Sequence, residues 1–194
     1  MNKNRIEAFS DGVMAIIITI MVLEIKTPES IESYAIQHLV SCIFSYFLSF
    51  AFIGIYWNNH HHLFHLAKGI NATIMWSNLN LLFWLSLVPF ATKWMSETDF
   101  IPVTVVSYAI LLFICGLSYN ILVFSIKKGH EYDQHLNVLT KFGVKEFLSL
   151  LFYGISIPAA FIDNRISMAM FFLVSIIWIV PSKKIEAVVP EKEK

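Results

Sequence analysis

Six long apolar blocks, divided by short polar stretches, run through the chain: approximately Ile6–Ile25, Tyr34–Asn58, Ile70–Thr92, Pro102–Ile126, Phe142–Ile162 and Ile166–Pro181. Within them apolar residues follow one another directly instead of recurring at the period of an amphipathic soluble helix. Crossing a ~30 Å hydrocarbon core takes about 20 helical residues, and all six are read as long enough, the last being the shortest. The pattern predicts an all-α membrane protein with six transmembrane helices per chain, in one domain over residues 1–194. Short connections place neighbouring helices antiparallel. The longest connection, between the fourth and fifth helices, includes Lys127–His135, and the chain ends in a short charged tail, Val188–Lys194. No second domain, low-complexity segment or internal repeat is visible.

Composition makes lipid the solvent. Hydrophobic residues are 57% of the 194, charged residues 14%, and mean hydropathy is +0.65; a soluble domain carries about a quarter charged residues. Lys3 and Arg5 precede the first block in the manner of a secretory signal. Glu24 and Lys26 follow it with no small-x-small cleavage site, so it is expected to be retained. Cys42 and Cys115 lie inside apolar spans and form neither a disulfide framework nor a metal motif, which leaves them as packing residues. The formal net charge is zero, so no nucleic-acid or other polyanion-binding surface is suggested.

Charge distribution orients the helices. With the N-terminus inside, Lys3, Arg5, Lys68, Lys127, Lys128, Lys141, Lys145 and the four lysines from Lys183 onward are inner, leaving only Lys26, Lys93 and Arg165 outside. The positive-inside rule then puts both termini in the cytoplasm of a multi-pass cell-membrane protein. The outer segments collect Glu24, Glu29, Glu32, Glu97, Asp99 and Asp163. An acidic mouth would concentrate cations, although solvated loops depleted of cations by the orientation rule are the plainer reading.

Polar residues inside the spans carry the chemistry. A carboxylate at mid-helix costs roughly 2.5–3.5 kcal/mol on insertion scales and marks a functional site by default. Asp11 lies about 8 Å into the first helix at 1.5 Å per residue. The second helix brings Trp57, Asn58, Asn59 and His60 to the same inner level, and the third brings Trp76, Ser77, Asn78 and Asn80. Such groups must pair across helices where water is absent. An inner-leaflet network around Ser10 and Asp11 is predicted, with His60 and Asn78 as partners. On a wheel of about 100° per residue with Asp11 at 0°, Thr19 falls near about 80°, Gly12 near 100°, Leu23 near 120°, Ile16 near 140° and Ile20 near 180°. Gly12 with Thr19 and Ile16 with Leu23 form a heptad-like stripe facing away from Asp11. On its own, such a stripe reads as an ordinary packing seam.

Arg5-x-x-x-Phe9-Ser10-Asp11 resembles the Arg-x-x-x-Phe-Ser-Asp signature of the transmembrane protein 175 potassium channels. Trp57-x-x-His60-x-x-x-Phe64 is similar to that family's pattern late in the second helix. Asn78 and Pro89–Phe90 are similar to its third helix. The match covers roughly the first half of the chain; the second half agrees in helix count and hydropathy. The resemblance implies a cation channel without a Thr-Val-Gly-Tyr-Gly carbonyl filter, and no such run occurs here. It implies a homotetramer, since the chain holds one six-helix repeat, with the first helix lining a central pore. Ile16 then matches the family's apolar constriction, and Thr19 the threonine that contributes to ion preference. Ile20 and Leu23 match further apolar layers, and Gly12 would widen the inner vestibule. Arg5, Phe9, Ser10, Asp11, Trp57, His60 and Asn78 become the signature and bracing set. The expected partners are potassium and related monovalent cations and the bilayer, with modest preference for potassium over sodium. No enzyme activity, cofactor or resident metal is implied.

Two other readings use the same residues. An ion-coupled transporter would employ Asp11 and His60 as a relay. Transporters favour helices broken by Gly or Pro at midplane, and Pro89 and Pro158 are read near helix ends. A membrane metalloenzyme would use His60, His61, His62 and His65, but a coordination sphere needs further clusters. The remaining histidines are His38 near the opposite face and His130 and His135 in a loop. His61, His62 and His65 are read as interfacial.

Overall fold

The computed structural model describes residues 2–28, 30–129 and 143–179. The regular elements among them are helices: α1 (Lys3–Leu23), α2 (Ser33–Leu66), α3 (Ala72–Ser86), α4 (Val88–Glu97), α5 (Pro102–Gly129), α6 (Val144–Ala159) and α7 (Asn164–Ile179). α3 and α4 together make one apolar span, Ala72–Glu97, and with α1, α2 and α5 it is one of four long and apolar enough to cross a membrane, whereas α6 and α7 have 16 residues each, fewer than the roughly 20 of a full crossing. The position expected to start the fifth helix, Phe142, lies outside the described residues. So do His130, His135, Glu29, Lys141, Pro181, the lysines from Lys183 onward and the charged tail.

Local chemistry sets the helix ends. The Asn2 side chain accepts from the Asn4 amide at 3.0 Å, and Asn71 accepts from Ile74 at 2.9 Å, each satisfying an amide that the first turn leaves free. The Glu146 carboxylate reaches back to the Gly143 amide at 2.9 Å. α4 ends in a Schellman closure without glycine: Phe100 N–H bonds Met95 O and Asp99 N–H bonds Ser96 O. Asp99 and Phe100 accordingly take φ of 50° and 60°.

Two elements depart from the pattern of hydropathy. α2 continues eight residues past Asn58 to Leu66, because its last turns still bury Leu63 and Phe64 beneath a polar outer face. Its 34 residues span about 51 Å at 1.5 Å each, so the helix projects beyond the hydrocarbon core. The third span runs on to Glu97, which places Pro89 inside it and not near its end. Pro89 has no N–H for the Leu85 carbonyl, and the helix is interrupted at Leu87, whose amide makes a tighter bond to Trp84 O. Pro158 does fall in the last turn of α6.

α5 is the central post, burying Val105, Tyr108, Leu112, Cys115, Leu122 and Ile126 against α3, α4, α6 and α7. α1 packs on α2, α3 and α4 from the other side. Cys115 is a buried thiol, and Cys42 is half-buried with its Sγ 3.7 Å from His38 Nε2. Small hydroxyl residues join the helices. Thr92 donates to Val88 O at 2.7 Å, so its oxygen accepts from Ser49 (2.7 Å), and Ser49 in turn accepts from Tyr108 (2.8 Å). One directed chain thus ties α5, α2 and α4 near the end of the bundle opposite the start of α1. Interhelical bonds of this kind contribute about 0.6 kcal/mol on average in membranes. Tyr108→Phe is expected to lower thermal stability by about that much in detergent-solubilised protein. An unchanged unfolding temperature would mean that the Tyr108–Ser49 bond contributes nothing to the fold.

Candidate functional site

The buried stripe of α1 is Ile6, Ser10, Met14, Ile17 and Met21. Ser10 donates to its own helix at Ile6 O (2.9 Å), which leaves its oxygen to accept from Asn78 Nδ2 at 2.9 Å. With the amide nitrogen committed, Asn78 Oδ1 is the acceptor facing His60 Nε2 at 2.7 Å, so that ring nitrogen carries the hydrogen. His60 is 0% exposed and stacks on Phe64 with ring centres 4.3 Å apart. The chain His60–Asn78–Ser10–Ile6 joins α2, α3 and α1 through fully buried groups. His60 Nδ1 is the one sealed side-chain polar atom among the described residues without a partner.

Asp11 sits beside this chain, not in it. Its carboxylate accepts the Trp57 indole N–H at 3.0 Å, and no hydrogen bond among the described residues joins Asp11 to His60. A relay through that pair is therefore not connected. Trp57 stacks on His61, whose Nδ1 is 3.3 Å from Glu7 Oε1. One turn further, the Lys3 ammonium donates to the carbonyls of His65 (3.2 Å) and Ala67 (3.1 Å). Lys3, Glu7 and Asp11 recur every four residues and meet His65, His61 and Trp57, which recur every four residues in the opposite direction. Sequence reasoning missed the first two rungs of this ladder. The matched spacing of 4 on two antiparallel helices was the available signal.

Arg5 does not join the brace. Two positions from Glu7, it is turned about 200° around the helix, and it is exposed with no pair among the described residues. Phe9 is likewise on the open side, 55% exposed. That open side runs Phe9, Gly12, Ile16, Thr19, Leu23, alternating steps of three and four. Ile16 is 58% exposed, Ile20 43% and Leu23 80%; a Cβ on Gly12 would meet nothing within 4 Å. Only 22% of the apolar window of α1 is buried, against 50% in the α3–α4 span. The Thr19 hydroxyl donates to Ile16 O at 2.9 Å, which leaves the lone pairs of its oxygen uncommitted.

At the far end of α1 the acids are largely engaged. Glu24 pairs with Lys93, Glu97 with Lys26 at 3.9 Å, and Asp99 Oδ1 lies 3.8 Å from His38 Nδ1. Asp163 accepts the Arg165 amide at 2.9 Å. Two of these acids, Glu24 and Glu97, thus have a lysine beside them, which weakens the reading of a free acidic rim at those positions. Among the described residues no three His, Cys, Asp or Glu side chains converge as a metal site. His61, His62 and His65 contact one another through their rings, with centres 5.8 and 6.5 Å apart.

A braced first helix in an all-helical bundle, with four helices among the described residues long and apolar enough to cross a membrane, defines a multi-pass helical membrane protein. Residues 5–89 match the family model described as endosomal/lysosomal potassium channel TMEM175. A potassium channel of Chryseobacterium sp. (strain P1-3) is 44% identical, covering 96% of this chain and 97% of that protein. The human endosomal/lysosomal proton channel TMEM175 is 35% identical over 43% of this chain and 19% of its own length. The crystal structure of a lysosomal potassium-selective channel TMEM175 homolog from Chamaesiphon minutus superposes with a TM-score of 0.75. It is 29% identical, and the match covers 92% of this chain and 96% of that one. The chain belongs to the TMEM175 family.

Removing the central amide tests the brace. Asn78→Leu leaves the buried His60 N–H unpaired, and an unmet buried donor costs about 1–3 kcal/mol. Trp57→Phe removes a bond at a half-exposed position and is expected to cost less than about 1 kcal/mol. Thermal unfolding of the two variants should rank Asn78→Leu as clearly worse; the reverse order would contradict the placement of Asn78 at the centre.

Proposed function

We propose that four copies of this chain assemble around a central axis as a potassium-permeable channel whose pore is lined by α1. The observation that carries this reading is the Phe9–Gly12–Ile16–Thr19–Leu23 stripe, which the chain leaves uncovered while bracing the opposite face of the same helix. A stripe repeating every 3.5 residues suits packing of helices about a common axis. Relatives named as potassium channels favour potassium as the permeant ion.

In this reading Ile16 forms the neck. Four isoleucine side chains on an axis make a dry constriction that stops ions by dewetting. A small outward tilt or rotation of each α1 would wet it. Thr19, three residues beyond, offers four hydroxyl oxygens, each free to accept because its hydrogen is committed to Ile16 O. Ile20 and Leu23 continue the apolar lining, and Gly12 leaves a wider vestibule below the neck. Potassium sheds water more readily than sodium, so a dehydrating neck favours it, modestly in the absence of a carbonyl cage. Ser10, Asp11, Trp57, His60 and Asn78 hold the tilt of α1 from behind. The protein sits in the cell membrane with the start of α1 on the cytoplasmic side, and residues 1–194 form a single channel domain.

Liposome flux tests the proposal, using gradients of potassium, rubidium, caesium and sodium. Ile16→Asn hydrates the neck and is expected to raise downhill potassium flux several-fold; unchanged flux would mean that the stripe faces elsewhere. Asp11→Ala is expected to reduce tetramer yield while leaving the order of permeant ions unchanged. Normal assembly with an altered order would assign Asp11 to the ion path instead.

A further inference from the structure

A cluster of metal-binding side chains lies at the far end of α1, away from the Asn78 brace. His38 and Cys42 are four residues apart on α2 and share one face of that helix. His38 Nε2 is 3.7 Å from Cys42 Sγ. Both residues line a cavity of about 50 Å³ under the last turn of α1, and Met21 of α1, only 3% exposed, lines it too. On the other side of the imidazole, His38 Nδ1 faces Asp99 Oδ1 at 3.8 Å. Two sulfurs and an imidazole nitrogen, from two helices, thus line one cavity. No third His, Cys, Asp or Glu completes a metal site among the described residues; the third donor is the methionine.

The remaining polar groups of the cavity do not favour a hard ion. Glu24 pairs with Lys93, and Glu97 with Lys26 at 3.9 Å. A divalent cation brought to either carboxylate meets an ammonium beside it. The Thr92 hydroxyl donates to Val88 O and the Ser96 hydroxyl to Lys93 O. Tyr46 adds one hydroxyl, a hard oxygen. The thiol, the thioether and the imidazole are the soft end of this set.

The spacing fits a coordinated ion. Metal sites hold nitrogen at about 2.0–2.1 Å and sulfur at about 2.3 Å. A nitrogen–sulfur separation of 3.7 Å then sets the angle at the metal to roughly 115–120°, which suits three- or four-fold binding. A carboxylate behind the imidazole is the usual outer partner of a metal-bound histidine, holding Nε2 toward the ion.

We propose that His38, Cys42 and Met21 form a site for a soft monovalent cation, copper(I) or silver(I). Thiolate and thioether ligands select such ions over magnesium, calcium or potassium. Binding forms a sulfur–metal bond and releases the thiol hydrogen as a proton. Thiolate and cation then cancel, so the site gains no net charge. The lone pairs of His38 Nε2 and the Met21 sulfur fill the other two positions, and the ion joins α1 to α2 across the cavity. Asp99 is a positioning residue, acting through His38.

Calorimetric titration of the purified full chain in detergent, with silver(I) and with copper(I) kept reduced in acetonitrile, tests the site. One ion per chain with one proton released is expected, and zinc(II) is expected to bind at least about tenfold more weakly. Cys42→Ser should abolish tight binding, since Cys115 is buried. His38→Ala and Met21→Leu each remove one ligand and should weaken binding by about tenfold or more. Asp99→Asn keeps the left-handed backbone that Asn tolerates and should weaken it about tenfold through the imidazole. Met21→Leu conserves core volume, so its unfolding temperature without metal should match the parent's, which separates a lost ligand from a lost fold. Silver(I) bound equally by the parent, His38→Ala and Met21→Leu would mean a bare thiol and overturn the proposal. So would zinc(II) bound more tightly than silver(I), or no binding of either soft ion.

Discussion

A buried amide must find its hydrogen bonds inside the protein, and those of Asn78 join three helices at once. Its nitrogen donates to Ser10 and its oxygen accepts from His60. Because Ser10 also donates to Ile6 O, none of these atoms has a spare orientation. Turning α1 by one residue, about 100°, would break the Ser10 bond and carry Asp11 away from Trp57. The rotation of α1 is thus fixed by polar bonds on one face, and the opposite face is free to remain apolar and uncovered. In lipid that division of labour is favourable, since an unmet polar group costs several times what an unpacked isoleucine does.

A second anchor operates at the other end of the same α3–α4 span. There Thr92 receives Ser49 of α2, which receives Tyr108 of α5. Between the two anchors lies the break at Leu87, where Pro89 removes a backbone donor. The span is fastened at both ends and interrupted in the middle. Both halves pack on α1 and on the central post, and the upper half packs on α2 as well.

Much of this was legible in the sequence, for reasons that particular residues make clear. Ser10, His60 and Asn78 stood out because three consecutive spans each placed polar groups at one depth, where lipid forces pairing. The stripe of Gly12, Ile16, Thr19 and Leu23 was visible from helical period alone. Hydropathy misplaced the end of α2, because His61, His62 and His65 read as interfacial while Leu63 and Phe64 on the other face keep the helix packed. The partner of Asp11 was the indole of Trp57 and not His60, a choice set by the rotation of α2, which periodicity does not supply. Arg5 looked like part of the brace because it opens the family signature, yet it lies on the uncovered side. Lys3 donates to backbone carbonyls, so only its spacing of four from Glu7 pointed to it.

The central claim is that the uncovered stripe of α1 faces an aqueous ion path. Single cysteines placed from Phe9 to Leu23, in a chain with Cys42 and Cys115 replaced by serine, test it through block of liposome potassium flux by silver ions. Silver is close to potassium in size and reaches a thiol only through water. Block at positions 12, 16, 19 and 23, with none at 14, 17 and 21, is the pattern that the account predicts. Block at the second set, or none along the whole helix while flux persists, would place the ion path elsewhere.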